Sequence, residues 1–115
     1  MRNIEPIDVF SALSNPIRLR CLFLVARHED VCVCEVEASL QIAQPAASKA
    51  LNALKSAGLL TARREANWSY YTLNDAMPAW MADVVQHTVS ELSTDPDYKA
   101  DEKRFDRLQL RPTCT

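Results

Sequence analysis

The fold is decided by residues 44–58, which read QPAASKALNALKSAG. The apolar residues of this stretch recur at helical spacing and form one stripe: Ala47, Ala50, Leu51 and Leu54. A polar stripe lies beside it: Ser48, Lys49, Asn52 and Lys55. Gly58, the only glycine of the chain, stands where a left-handed residue ends a helix. The stretch therefore predicts a helix from about Gln44 to Ala57 with one buried face and one polar face.

Three shorter helices are predicted upstream. Pro6 opens the first, because proline is tolerated in a first turn. Asn15 and Pro16 supply an N-cap and a first helical residue for the second, which is apolar nearly all round and runs to about His28. The third begins at the cysteine pair in VCVCEV, residues 31–36, and runs through Leu40 to a turn before Gln44.

A hairpin is predicted downstream. Residues 59–64 and 68–73 are rich in Trp, Tyr, Thr and Leu, and Glu65-Ala66-Asn67 joins them. The pattern is that of a winged helix-turn-helix: a short helix, a turn, a second helix with a polar outer stripe, and a basic hairpin. The predicted fold class is mainly α with this small β-hairpin.

A last long helix predicts a homodimer through the terminal helices. We expect Asn74 or Asp75 to cap it, with Pro78 inside its first turn. Its apolar stripe is Met77, Met81, Val84, Thr88 and Leu92, with Trp80 and Val85 at the margins. Residues 1–92 are expected to form the DNA-binding and dimerisation domain. Residues 93–115 are expected to form a charged tail that carries Cys114, with a charged helix at 101–111.

The basic charge of the chain is confined to its middle. Residues 41–74 carry Lys49, Lys55, Arg63 and Arg64 against Glu65 alone, a net charge of +3, although the whole chain has a net charge of -2. A local field of this kind attracts phosphate. We expect Gln44, Ser48 and Asn52 to read base edges of double-stranded DNA, because their side chains pair with bases. Lys49, Lys55, Arg63 and Arg64 are expected to contact phosphates.

The composition narrows the class of protein. At 115 residues the chain is one domain, and dimerisation would add to its stability. It has no apolar run long enough to span a membrane and no signal-peptide core, so we expect a cytoplasmic protein with no membrane partner. Neither His28 nor His87 has a catalytic motif around it, and an enzyme is not expected.

The motifs taken in order resemble the arsenic-responsive repressor (ArsR/SmtB) family. The matching stretches are LSNPIRLR from Leu13, VCVCEV from Val31, QPAASKAL from Gln44, LL at 59–60, RR at 63–64 and WSYYTL from Trp68. The resemblance covers about residues 7–92. It implies a homodimeric winged-helix repressor that leaves its operator when a thiol-seeking metalloid or metal binds, here trivalent arsenic or antimony as arsenite, antimonite or methylarsenite.

Cys32 and Cys34 are the predicted ligands. Arsenite prefers three sulfurs, and the third ligand is left open between Cys114, a small thiol, or none for a methylated arsenical. Arsenite-type members of the family often carry a third cysteine where this chain has Glu37, and a wing glycine where it has Ala66. Because Asn67 tolerates left-handed geometry, we expect it to make the wing turn.

The remaining histidine and cysteine receive structural roles. Zinc-type members of the family place an Asp-x-His pattern on the last helix, whereas here Asp83 is followed by Val84 and Val85, and only His87 lies near. The interfacial zinc site is therefore not expected, and His87 is interpreted as a partly exposed interface residue. Cys21 is interpreted as a buried packing residue. On a regular helix Cys32 and Cys34 would point about 200° apart. We therefore expect a bound ion to unwind the first turn of the third helix and shift the reading helix.

Two alternatives stay open. One is a repressor on the same fold that responds to cadmium, lead or zinc, or to thiol oxidation or persulfides, with Cys32 or Cys34 pairing with Cys114. The other is a metal-binding thiol protein with no role on DNA.

Overall fold

The computed structural model describes residues 4–108. Within them the chain forms six helices and three strands in the order α1 Pro6–Leu13, α2 Pro16–Arg27, β1 Val31–Cys32, α3 Val33–Leu40, α4 Gln44–Ser56, β2 Leu60–Glu65, β3 Trp68–Leu73, α5 Ala79–Leu92 and α6 Pro96–Leu108. The predicted winged helix-turn-helix is confirmed: α3, a turn and α4 are followed by the hairpin of β2 and β3, which we call the wing. The predicted charged helix begins earlier than expected, at Pro96, and residues 109–111 of it lie outside the described residues.

The caps of α2 and α4 are the ones that their sequences predict. The Asn15 side chain accepts a hydrogen bond from the Arg18 backbone N–H at 3.0 Å. Gly58 follows α4 with a φ of 86°, and its N–H donates to Lys55 O while the N–H of Leu59 donates to Leu54 O. A Cβ at Gly58 would lie 2.9 Å from Ile4 Cδ1, so the Ile4 side chain would have to shift, and the positive φ favours glycine at this position.

The core lies between α2, α3 and α4. Five consecutive residues of α2, from Cys21 to Val25, are at most 2% exposed. The predicted inner stripe of α4 is buried, with Leu51 and Leu54 both fully covered. This packing fixes which face of α4 remains outside, and the outside face is the polar stripe that the sequence predicts.

The sheet has three strands, in the order β1-β3-β2, and all neighbours are antiparallel. The strand β1 was not predicted. It pairs Val31 with Tyr71 and Cys32 with Tyr70, so the prediction that α3 begins at the cysteine pair is wrong by one residue: α3 begins at Val33. Cys32 is the N-cap of α3 and has an extended backbone, with a φ of -93° and a ψ of 164°.

The wing turn differs from the prediction as well. The register pairs Glu65 with Trp68, which leaves a two-residue loop of Ala66 and Asn67. Ala66 takes the positive φ of 56°, whereas Asn67 was expected to be the left-handed residue. The tight register of the loop places the positive φ at its first position, and an alanine there carries the steric cost of its Cβ.

The predicted cap of α5 is wrong. Pro78 is the N-cap itself, because Asn74 is used elsewhere: its Oδ1 accepts from Ala76 N at 3.0 Å and its Nδ2 donates to Gly58 O at 2.9 Å. The buried residues of α5 are Met81 and Val85, with Val89 packed beside them. Met81 of the predicted stripe is therefore buried, whereas Val84, Thr88 and Leu92 are half-buried, and their contact with a second copy stays a prediction.

The helix α6 packs on α2 and α3 through a buried ion network. Asp101 has no exposed surface, and its carboxylate accepts hydrogen bonds from Arg20 Nε at 2.9 Å, Arg20 Nη2 at 2.8 Å and Arg104 Nη2 at 2.7 Å. The same guanidinium groups donate to the last carbonyls of α3: Arg20 to Leu40 O at 3.0 Å and Arg104 to Ser39 O at 2.6 Å. The carboxylate therefore orients the donors that hold the C-terminal end of α3.

No single helix within residues 4–108 is both long and apolar enough to cross a membrane. The bent pair α1 and α2, which meet at 100°, reaches that length and composition only when taken together.

Candidate DNA interface and thiol pair

The outer face of α4 and the wing enclose one groove of about 590 Å³. Most of the residues predicted to contact DNA line it: Gln44, Ser48, Asn52, Lys55, Arg63 and Arg64. Lys49 is exposed on α4 but is not part of this lining. The turn that aims α4 is made by Gln41, which ends α3 in the left-handed region with a φ of 58°. We call this space the α4–wing groove.

Arg63 is held by carboxylates of its own chain. Its Nε donates to Asp30 Oδ1 at 3.3 Å, its Nη1 donates to Glu65 Oε2, and its guanidinium lies 4.8 Å from the ring centre of Tyr70. These carboxylates raise the pKa of Arg63, first through the hydrogen bond with Glu65 and then through that with Asp30. A phosphate contact at Arg63 would have to replace one of these partners.

Cys34 lines the same groove and is disulfide-bonded in this structure, and Cys32 stands two residues before it; we call Cys32 and Cys34 the thiol pair. The two Sγ atoms are 3.3 Å apart, although the sequence predicted that they would point apart. The reason is that Cys32 belongs to β1 and the N-cap, so the helical angle of 200° does not apply to it. The geometric reason for expecting an ion to unwind α3 is wrong, since the sulfurs already lie together while α3 is intact; the shift of the reading helix on ion binding stays a prediction.

Cys32 is part of the N-terminal cap of α3. Glu35 Oε1 accepts a hydrogen bond from the Cys32 backbone N–H at 3.0 Å, which is half of a capping box. Burial raises the pKa of the Cys32 thiol. The backbone N–H of Glu35 lowers this pKa by a smaller amount, and the Glu35 carboxylate raises it further. Glu35 stands three residues after Cys32, and this capping-box spacing is the signal that could have identified Cys32 as the N-cap.

Cys21 and His87 lie on helices other than α3. Cys21 is fully buried in α2, as predicted, and burial raises its pKa to about 12. Glu37 lines the α4–wing groove with Cys34. His87 is exposed on α5. Cys114 lies outside the described residues, and among residues 4–108 no group of three or more His, Cys, Asp and Glu could hold a metal ion.

Tyr71 is a groove residue that the sequence did not identify. It is 5% exposed, sits on the central strand β3, and its hydroxyl donates to Asn52 Oδ1 at 3.2 Å. Its place in the alternating WSYYTL stretch predicts a strand but gives no indication of a partner on α4.

Comparisons with known proteins agree with this geometry. The family described as "Bacterial regulatory protein, arsR family" matches residues 15–62. The chain is 41% identical over 86 residues to the arsenic resistance transcriptional regulator ArsR2 of Pseudomonas putida, covering 75% of each chain. It is 34% identical over 85 residues to the arsenical resistance operon repressor of Escherichia coli, covering 74% of this chain and 73% of the relative.

A solved structure gives the same fold. The homodimeric winged helix-turn-helix DNA-binding domain Mb0332 of Mycobacterium bovis, described as a possible ArsR-family transcriptional regulator, superposes with a TM-score of 0.63. The identity is 26%, and the match covers 84% of this chain and 94% of that one.

Proposed function

Because the chain belongs to the arsR family of bacterial regulatory proteins, we propose that it is a repressor released from its operator by a trivalent arsenical bound at Cys32 and Cys34. Proteins of this family are DNA-binding transcriptional regulators and not enzymes. To this family role we add three proposals: the inducer, the cysteine ligands that bind it, and the residues that contact DNA.

One observation carries the proposal: Cys34 of the thiol pair lines the groove that we propose to face DNA. Val33, Cys34 and Glu37 of α3 line the α4–wing groove together with Gln44 and Ser48 of α4. An ion held by Cys34 would therefore stand beside the start of the reading helix. Ligand and DNA would each favour a different arrangement of residues 31–40, which couples the two binding events.

The thiol pair suits a thiophilic ion. With metal–sulfur bonds of about 2.3 Å, two sulfurs on one ion lie no more than about 4.6 Å apart. The observed separation of 3.3 Å lies within this limit, and Cys34 must first be reduced from the disulfide of this structure before it can bind an ion. Soft thiolates select soft ions over magnesium or calcium. Arsenite would take a third sulfur from Cys114 or a small thiol, whereas a methylated arsenical needs only the pair.

The polar face of α4 would read the operator. Gln44, Ser48 and Asn52 would face base edges in the major groove of the DNA. Lys49, Lys55 and Arg64 would contact phosphates, and Arg63 would join them after exchanging its carboxylate partners. A phosphate contact of Arg63 would cost more free energy than one of Arg64, because Asp30 and Glu65 compete with the phosphate for Arg63.

We also propose a homodimer. Within residues 4–108, the exposed large apolar side chains are Ile7 at 73% and Phe10 at 50%, both on α1. A second copy would cover them and would give the DNA two reading helices. The M. bovis relative is described as homodimeric.

The decisive experiment is a fluorescence anisotropy titration on DNA from the protein's own promoter. The preformed complex is titrated with arsenite, methylarsenite, cadmium and zinc, for the wild type and for Cys32→Ser, Cys34→Ser and Cys114→Ser. We expect arsenite to release the wild type and to fail with either variant of the thiol pair. Cys21→Ala is the matched control, because this buried thiol is outside the pair, and it should release as the wild type does.

The same titration separates the alternatives. Release by cadmium or zinc at lower concentration than by any arsenical would make the protein a metal-responsive repressor. Release by a mild oxidant alone would make it a redox-responsive one. A wild type that binds no promoter fragment at low salt would remove the role on DNA altogether.

A further inference from the structure

The wall of the α4–wing groove contains one hydrogen bond between the wing and α4. Tyr71 of β3 donates its phenolic proton to Asn52 Oδ1 at 3.2 Å, and both residues line the groove. Asn52 is exposed at the middle of the polar stripe, and Tyr71 is 5% exposed. The bond therefore joins a rigid buried group to a side chain that faces the space for DNA.

Tyr71 is held firmly enough to position its partner. It lies on the central strand, where its backbone pairs with Val31 of β1 on one side and Ala62 of β2 on the other. Burial raises the pKa of its hydroxyl, so the proton that it donates is retained at neutral pH. Without this contact, an exposed asparagine on a helix surface would sample several rotamers.

The direction of the bond also fixes what Asn52 can offer. A carboxamide has one acceptor oxygen and one donor nitrogen that diverge from the same carbon. Holding Oδ1 against Tyr71 turns Nδ2 away from the wing. Bidentate recognition of adenine requires both atoms to face the base, whereas a single donor suits an acceptor such as guanine N7 or O6.

We infer that Tyr71 is a positioning residue for sequence recognition, which orients Asn52 so that its Nδ2 donates to an acceptor on one base of the operator. This inference rests on the proposed contact between Asn52 and DNA. Tyr71 itself touches no base. It acts through Asn52 and sets the preference at one position of the site.

The test is a double-mutant cycle on the full chain, with affinities measured on the operator and on a set of single base-pair changes. Tyr71→Phe keeps the buried ring and removes only the hydroxyl. We expect it to weaken operator binding by about 3- to 10-fold, the cost of ordering one free side chain on binding. In the Asn52→Ala background the same change should have no further effect, and both variants should lose discrimination at the same base pair.

Tyr70→Phe is the matched control, because Tyr70 is the adjacent tyrosine on β3 and faces Arg63 instead of Asn52. It should leave the preference at that base pair unchanged. Equal affinity of Tyr71→Phe and the wild type, or a loss that persists in full in the Asn52→Ala background, would overturn the inference. If Asn52→Ala binds every sequence as the wild type does, the proposed contact of Asn52 fails and the inference fails with it, while the proposed arsenical release stands. A wild type that binds no promoter DNA would instead overturn the proposed function.

Discussion

Replacing Asp101 by asparagine should destabilise the protein strongly, although the change is isosteric. The carboxylate is fully buried and accepts three hydrogen bonds, two from Arg20 and one from Arg104. Asparagine removes the charge and turns an NH₂ group toward guanidinium donors. Breaking a buried ion pair costs about 3–5 kcal/mol, and we take about 3 kcal/mol because both arginine side chains retain some water contact.

The assay is thermal unfolding at a fixed protein concentration, since a dimer makes the midpoint depend on concentration. A loss of about 3 kcal/mol lowers the Tm by roughly 10 °C in a domain of this size. Asp106→Asn is the matched control, an exposed carboxylate on the same helix, and surface substitutions of that kind change stability by about 0.5 kcal/mol or less. If the two variants unfold within 2 °C of each other, roughly the shift that such a surface change produces, the buried network does not hold α6 to α3.

Three further predictions concern the wing and the thiol pair. Ala66→Gly should raise the free energy of unfolding by about 0.5 kcal/mol, because glycine relieves the steric cost of the φ of 56° and loses part of the gain to chain entropy; a lower denaturation midpoint would contradict this. Arg64→Ala should reduce the slope of log Kobs against log salt by about 1.8 for a dimer, about 0.9 for each copy, and Arg63→Ala by less because carboxylates already neutralise it; equal losses would show that both arginines meet phosphate. Cadmium affinity should rise with pH, because the raised pKa keeps Cys32 protonated at neutral pH and cadmium must displace that proton. The rise should be up to about tenfold per pH unit for each displaced proton, and it should end once the pH passes the pKa. Arsenite affinity should stay nearly flat over the same range, because its hydroxyl groups leave as water with the thiol protons; parallel pH profiles for the two ions in a competition assay would refute this.

The helices could be predicted because their signals are local. The stripe of α4, the Asn15 cap and Gly58 each act within one or two turns of the chain, and the structure confirms all three. The hairpin was predicted for the same reason, since its strands are adjacent in sequence and joined by two residues. Side-chain spacing is sufficient to predict an element when residues close to it in sequence stabilise it.

The short strand β1 could not be predicted, because it is defined only by the pairing of its backbone with β3. Two residues pair with Tyr70 and Tyr71, about forty positions later, and no side-chain pattern records that pairing. The error spread to the candidate site: a helical Cys32 would point away from Cys34, whereas an N-cap Cys32 brings its sulfur to 3.3 Å. The network around Asp101 was missed for a similar reason, since Arg20 lies 81 positions away.

The central claim is that Cys32 and Cys34 together hold the inducer, and arsenic-edge X-ray absorption tests it most directly. The operator-bound protein is loaded with one equivalent of methylarsenite, and the sulfur neighbours of arsenic are counted in samples whose DNA release is measured in parallel. We predict two sulfurs with release in the wild type and in Cys21→Ala, and one sulfur without release in Cys32→Ser and in Cys34→Ser. An unchanged count of two sulfurs in Cys32→Ser, with DNA released as before, would contradict the claim.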